Sequence, residues 1–358
     1  MLNPREAVRT LPSYHPPLAG RSGLRLDFNE NTVGCSPRVL KRLRQLGAEE
    51  LACYPEREAV ETEVSEVLEI AAPELLLTNG VDEAIHLLCQ TYLEPGDEAL
   101  IAVPTYSMYR IYMMAAGARV VAVPARGDFS FPADELCKRI TTRTRLIAIA
   151  NPNNPTGTVV SMEDLRRIAR AAPDAAVLVD EAYFEFYGHS IMAARGEFSN
   201  LFVARTFSKA YGLAGLRLGA LVGDAEQMLA VRRVCSPYNV NAVALACLPE
   251  ALDDQAYIQQ YVTEVRESRA RLERVLETSG VQFWPSHANF VLARVGAAAV
   301  FVDRMRRRGV LVRDRSGDHS CEGCVRITLG PREHADRLLT TLRETLEELG
   351  IAQGVSRP

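Results

Sequence analysis

Long hydrophobic runs are missing from this 358-residue chain, and no apolar stretch nears the roughly 18 to 20 residues of a membrane helix. The opening segment MLNPREAVRTLPSYHPP has no apolar core of signal-peptide length, so the expected compartment is cytoplasmic. A basic excess is missing too. There are 41 Lys and Arg against 45 Asp and Glu, and the net charge of −4 gives no footprint for nucleic acid or anionic membrane. Metal-ligand spacing is also absent. The six histidines, His15, His86, His189, His287, His319 and His334, form no ligand pattern. CEGC at 321–324 is half a zinc site with no second pair, so it reads as a turn, and no metal is expected. The other cysteines stand among apolar neighbours and read as small core residues. Internal repeats and low-complexity segments are lacking as well.

What remains is a globular composition, 47% hydrophobic and 24% charged, long enough for one large or two ordinary domains. Residues 1–30 read as an arm that also supplies part of a small domain. Over residues 31–248 short apolar runs alternate with helical patterns. ELLLTNG, EALIAVP, ARVVAVP, RLIAIANP, AVLVDEAY, NLFVART and LRLGALVG (216–223) read as strands. Ser36 and Ser161 read as helix N-caps. Continuous apolar strands separated by helices predict an α/β fold, a large domain whose mostly parallel sheet is flanked by helices. From 249 to 358 the pattern changes to a smaller α+β domain, with a long helix at 257–280 and a last one at about 331–349. Pro237 and Pro249 mark the boundary.

In an open parallel sheet, ligands bind beyond the carboxyl ends of the strands. Those ends carry Asn79 and Gly80, Asn154, Asp180 and Tyr183, then Ser208 and Lys209, with Arg217 following. Each alone has an ordinary structural reading as a cap, a turn or a surface charge. Together they ask for another explanation. Lys209 lies in RTFSKAYGLAGLRLG, an apolar, glycine-rich turn. A lysine in a water-poor site loses part of its preference for the charged form, and its amine can capture an aldehyde. A phosphate handle would find Thr206, Ser208, Arg217 and a helix N-terminus at TNGVDEAI. Asp180 could hold a ring nitrogen protonated, and Asn154 and Tyr183 could reach a ring hydroxylate. Pyridoxal 5′-phosphate meets these demands.

SKAYGLAGLR resembles the lysine segment of fold-type-I aminotransferases, and NPNNPTG and VDEAYFEF resemble their ring-binding segments. LPSYHP, LDFNEN, YPE, TNGVDEAI, PTYSMY, PYNVN, ANFVL, GVLVRD and VRITLG extend the likeness in order along nearly the whole chain, and most closely to the histidinol-phosphate aminotransferases. The resemblance implies that Lys209 carries the cofactor and shuttles the proton. Asp180 pairs with the ring nitrogen, and Asn154 and Tyr183 contact the ring oxygen. Tyr106 stacks on the ring, while Thr206, Ser208 and Arg217, with the backbone of Gly80 and Val81, hold the phosphate. Tyr54 is similar to a tyrosine that reaches the neighbouring subunit's cofactor, which implies a homodimer with shared sites. Arg326 resembles the arginine that receives the substrate anion. Tyr14, Asn31 and Arg313 fall on the substrate side.

The reaction so implied moves an amino group between L-histidinol phosphate and 2-oxoglutarate, in histidine biosynthesis, by a ping-pong route. Alternatives on the same fold are an aromatic amino acid aminotransferase and a threonine-phosphate decarboxylase. An effector-binding module of a regulator is disfavoured, because Lys209 is kept. Departures from the family pattern, Val81 apart, cluster at NENTVGCSP and ACYPERE, on the side that decides specificity.

Overall fold

Runs such as Leu75–Leu77, Ile147–Ile149 and Val177–Val179 leave no polar face, so both faces of their sheet must be covered. The computed structural model, which describes residues 2–9, 11 and 20–351, meets that demand. Its larger sheet has seven strands in the spatial order Leu75–Thr78, Gly219–Val222, Leu201–Thr206, Ala176–Asp180, Thr144–Ala150, Glu98–Val103 and Arg119–Pro124. Leu75, Leu77, Ile147, Ile149, Val177 and Val179 enter one apolar core. The residues between them, Leu76, Ala148 and Leu178, enter a second core on the other face.

The sheet is parallel except for Gly219–Val222, which runs against both neighbours. The sequence pattern suggests that this strand starts at 216. Instead, Ala214–Leu216 forms a short 3-10 turn, and Arg217 takes a left-handed φ of 58°. The cause is the compact loop Phe207–Leu218. It contains no crossover helix, so the chain doubles back beside the strand it has just left.

The six strands of common direction put their carboxyl ends on one rim, those of Leu75–Thr78, Glu98–Val103, Arg119–Pro124, Thr144–Ala150, Ala176–Asp180 and Leu201–Thr206. The helix Gly80–Tyr92 starts at the same rim.

A second, antiparallel sheet has the order Arg313–Asp314, Cys324–Thr328, Phe290–Arg294, Gln282–Trp284. The helices Gln255–Thr278, Ala298–Arg307 and Arg332–Glu348 supply its apolar partners, among them Val265, Phe301 and Leu338. Pro249, which suggests a linker in the sequence, lies inside the helix Ala242–Asp253. That helix buries Leu245, Cys247, Leu248, Ala251 and Leu252, and this burial outweighs the roughly 3 kcal/mol that an interior proline costs. Cys321 and Cys324 are buried and close a turn, Cys324 N donating to Cys321 O at 2.9 Å. Among the described residues no helix is long and apolar enough to cross a membrane.

The chain's beginning is fastened to this second sheet. Leu24–Arg25 pairs in parallel with Val310–Leu311 in a separate two-stranded sheet, and Thr328 N, in the second sheet, donates to Leu26 O at 3.0 Å. These bonds carry Phe28, Asn29 and Glu30 over the rim of the large sheet, where they line its cavity.

Candidate active site

A cavity of about 600 Å³ opens where the rim meets the second sheet. Lys209, Asp180, Tyr183, Asn154, Tyr106, Val81, Thr206, Ser208, Arg217, Arg313 and Arg326 all line it. Gly80 lies directly beneath Arg217, and a Cβ built on it would meet Arg217 Nη2 at 2.6 Å, at a φ of +74°. A side chain there would displace the guanidinium.

The loop after Leu201–Thr206 sets the lysine. Ser208 N donates to Thr206 Oγ1 at 3.2 Å, and Leu213 N donates to Phe207 O at 3.0 Å. Gly212 permits a close approach, since a Cβ at its φ of +70° would lie 2.4 Å from Gly34 O. Lys209 Nζ donates to Phe28 O at 3.3 Å, a carbonyl rather than a carboxylate. Its pKa is lowered from 10.5 to about 8, by burial first and by the Arg326 charge second, with Glu30 opposing.

Asp180 ends its strand on the cavity floor. Its Oδ1 accepts from Ala182 N at 3.0 Å and its Oδ2 from Tyr109 OH at 2.6 Å. Burial raises its pKa from 3.8 to about 6 in spite of those donors. Tyr183 OH accepts from Asn29 Nδ2 at 2.9 Å, and Asn29 is fixed in turn by Thr328 Oγ1, which donates to Asn29 Oδ1 at 2.9 Å. Beneath the loop, Arg205 and Glu181 form a buried ion pair at 2.8 Å.

Two links join residues that the sequence treats separately. Tyr106 OH donates to Asp82 Oδ1 at 2.8 Å, and Arg217 Nη2 donates to Asp82 Oδ2 at 3.1 Å. Arg326 Nη1 donates to Asn154 Oδ1 at 2.6 Å, and its Nη2 donates to Asp27 O at 2.8 Å. Its Nε is buried with no acceptor. The guanidinium therefore meets neutral oxygens while lining a cavity. A buried cation so placed calls for an incoming anion. Arg313 lies over the Phe28 ring at 5.2 Å.

Two predicted residues lie apart. Asn31 is turned away, its Nδ2 donating to Ala210 O at 2.9 Å, and it lines a neighbouring cavity of about 390 Å³. Tyr54 is 78% exposed and stacks on Tyr238 with ring centroids 4.2 Å apart, outside the cavity. Tyr14 lies outside the described residues. Sequence reasoning missed Tyr109, Asp82, Asn29 and Arg315. Tyr109 had a signal, because it follows Tyr106 by three and opens the same helix, Ser107–Ala115. Asn29 had only its place in LDFNEN, since its partners Tyr183 and Thr328 lie 154 and 299 residues away.

The donor set suits a planar aldehyde with a phosphate handle. It offers a buried amine with reduced proton affinity, a carboxyl on the floor, and hydroxyls beside a guanidinium seated on a glycine.

The family model described as aminotransferase class I and II matches residues 21–342. A histidinol-phosphate aminotransferase of Roseobacter denitrificans is 38% identical over 330 residues, covering 89% of this chain and 90% of that protein. One from a Thermoanaerobacter species is 34% identical over 327 residues, covering 90% of this chain and 93% of that protein. Among solved structures, the histidinol-phosphate aminotransferase of Sinorhizobium meliloti in complex with pyridoxal-5′-phosphate superposes with a TM-score of 0.86 at 25% identity. That superposition covers 96% of this chain and 98% of the other.

Proposed function

This chain belongs to the aminotransferase class I and II family and, within it, to the histidinol-phosphate aminotransferases, and we propose that it moves the amino group of L-histidinol phosphate to 2-oxoglutarate. It is a pyridoxal-phosphate-dependent transaminase. When bound, pyridoxal 5′-phosphate supplies an aldehyde that an amine can capture and a ring that accepts the electron pair of a Cα–H bond.

The protein's own groups do the rest. Lys209 would hold the cofactor's aldehyde carbon in the resting enzyme. Freed by the incoming substrate amine, it would take the proton from Cα and return it one carbon along. Its reduced proton affinity suits both tasks. Asp180 would keep a proton on the ring nitrogen, with Tyr109 and the Ala182 N–H holding its carboxyl in place. Tyr183 and Asn154 would contact the ring oxygen, and Tyr106 would cover the ring. The cofactor phosphate would take Thr206, Ser208, Arg217 and the N–H groups of Gly80 and Val81, at the positive end of a helix. Arg326 and Arg313 would receive the anion of either substrate, the phosphate of one half-reaction and a carboxylate of the other. Such a site alternates between donor and acceptor, hence the ping-pong order. Tyr54, exposed on one subunit, would complete the site of a second copy, making the working unit a homodimer. Tyr14 would act on the substrate side, whereas Asn31, turned to Ala210 O, would support the loop that carries Lys209 rather than touch substrate, and a cytoplasmic location suits the pathway.

One observation carries the reading. Lys209 and Asp180 share a cavity with Arg326, a buried cation whose hydrogen-bond partners are neutral. The experiment supplies the holoenzyme with 2-oxoglutarate and, separately, histidinol phosphate, phenylalanine or threonine phosphate, and records glutamate and carbon dioxide. Glutamate from low histidinol phosphate, with the others weak, is the expected result. Preference for phenylalanine would move the function to aromatic amino acids, and carbon dioxide from threonine phosphate would move it to the decarboxylase. Lys209→Ala is expected to abolish both turnover and the lysine-dependent visible absorbance.

A further inference from the structure

The anion end of the cavity holds one guanidinium more than the motifs account for. Arg315 lines it beside Arg313 and Arg326. All three come from one hairpin. Arg313 lies opposite Arg326 in register, and Arg315 N donates to Cys324 O at 2.9 Å just beyond. The loop then folds back on itself. Asp318 N donates to Arg315 O at 2.9 Å, and the Asp318 carboxylate ion-pairs with the Arg315 guanidinium.

Arg315 and Arg326 are therefore held differently. Arg326 meets neutral oxygens, whereas Arg315 leans on a carboxylate. In both, Nε is buried without a hydrogen-bond acceptor. They also feel each other. Burial lowers the Arg326 pKa to about 10, and the next cause is the charge of Arg315, ahead of that of Arg313. Like charges gathered in a water-poor cavity are costly until an anion joins them. A carboxylate brings one negative charge and two oxygens. A phosphate monoester brings nearly two charges and three acceptor oxygens. A carboxylate paired through both oxygens with Arg326 has no free oxygen and little charge left for Arg315, whereas a phosphate paired in the same way keeps a third oxygen and a second charge.

We propose that Arg315 is a specificity residue that engages the substrate's phosphate together with Arg326, and so favours phosphomonoester amines over amines that carry only carboxylates. This deepens the histidinol phosphate reading and rests on it.

The test compares wild type, Arg315→Leu and Arg315→Lys as holoenzymes. The quantity is the ratio of kcat/KM for histidinol phosphate to kcat/KM for glutamate. Loss of a charged hydrogen-bonding partner predicts a fall in that ratio of about 10- to 100-fold in Arg315→Leu. Arg315→Lys, which keeps the charge without the fork, falls between. An equal loss on both substrates, or an unchanged ratio, would overturn the proposal, the former marking a structural role. Melting temperature and bound-cofactor absorbance check that each variant is folded. If wild type does not use histidinol phosphate at all, the substrate reading fails by itself. Arg315 is then judged with inorganic phosphate as a competitor of glutamate. Inhibition weakened roughly tenfold or more in Arg315→Leu upholds the anion role, and equal inhibition overturns it.

Discussion

Replacing Arg326 with methionine should make Lys209 a poorer nucleophile without touching it. The Lys209 pKa falls from 10.5 to about 8 because the amine is buried and then because the Arg326 guanidinium is near, with Glu30 pulling the other way. At pH 7 an amine of pKa 10.5 is free in about 0.03% of molecules and one of pKa 8 in about 9%, a gain of roughly 300-fold. Burial survives in Arg326→Met, but the second cause goes. The free fraction should drop on the order of tenfold, and the titration midpoint should move upward from about 8. Glu30→Gln should move it the other way. The assay needs no cofactor. Cofactor-free protein receives a limiting pulse of acetic anhydride across a pH series, and the acetylated peptides are quantified by mass spectrometry. Lys209 is one of three lysines in the chain, and the others, Lys41 and Lys138, are exposed and serve as internal references. A Lys209 midpoint near 10 in wild type would refute the reasoning. So would a midpoint that Arg326→Met leaves unmoved.

Two further outcomes concern stability. Arg205→Leu strands the Glu181 carboxylate, which is 1% exposed and keeps only Ser190 Oγ and Ile191 N as donors. Urea unfolding should show a loss of about 3 kcal/mol, with much of it recovered when Glu181 is replaced by leucine as well. Asp180 has a raised pKa in the cofactor-free protein, so the stability it contributes is complete below pH ~3.8 and is lost as pH rises through about 6. That loss is worth about 3 kcal/mol, and Asp180→Asn should flatten this part of the stability–pH profile while abolishing turnover.

Much of this site was legible because its residues follow apolar strands at the carboxyl ends of a parallel sheet. Asp180 and Lys209 are each fixed by a local rule, one by its place as the last residue of its strand and one by a glycine-rich loop. Gly80 and Arg217 were assigned to one phosphate, and the unforeseen part is their packing, since a Cβ on Gly80 would lie 2.6 Å from Arg217 Nη2. The unforeseen parts are long-range. Asp82 serves both Tyr106 and Arg217 because helix and loop meet in space, which no spacing encodes. Arg315 reaches the cavity only because Arg315 N closes on Cys324 O and Asp318 folds back to meet it. The strand Gly219–Val222 was read from 216 because Leu216 and Leu218 extend its apolar run, which does not reveal the 3-10 turn at Ala214–Leu216. Asn31 stood in a promising segment, but its side chain is spent on the Ala210 carbonyl.

The fastening of the chain's beginning to its far end sets a timetable for synthesis. Leu24 pairs with Val310, and Asn29 N donates to Thr328 Oγ1 across 299 residues. The lysine's own acceptor, Phe28 O, is held in place by those bonds. At 5 to 20 residues per second, roughly 15 to 60 seconds pass on the ribosome between the emergence of the two halves. Through that interval the large sheet can form, but the lysine has no roof. The roof over the lysine therefore closes only after residue 328 has emerged, and a chain cut short before residue 328 should emerge with its main sheet assembled and its amine still open to water.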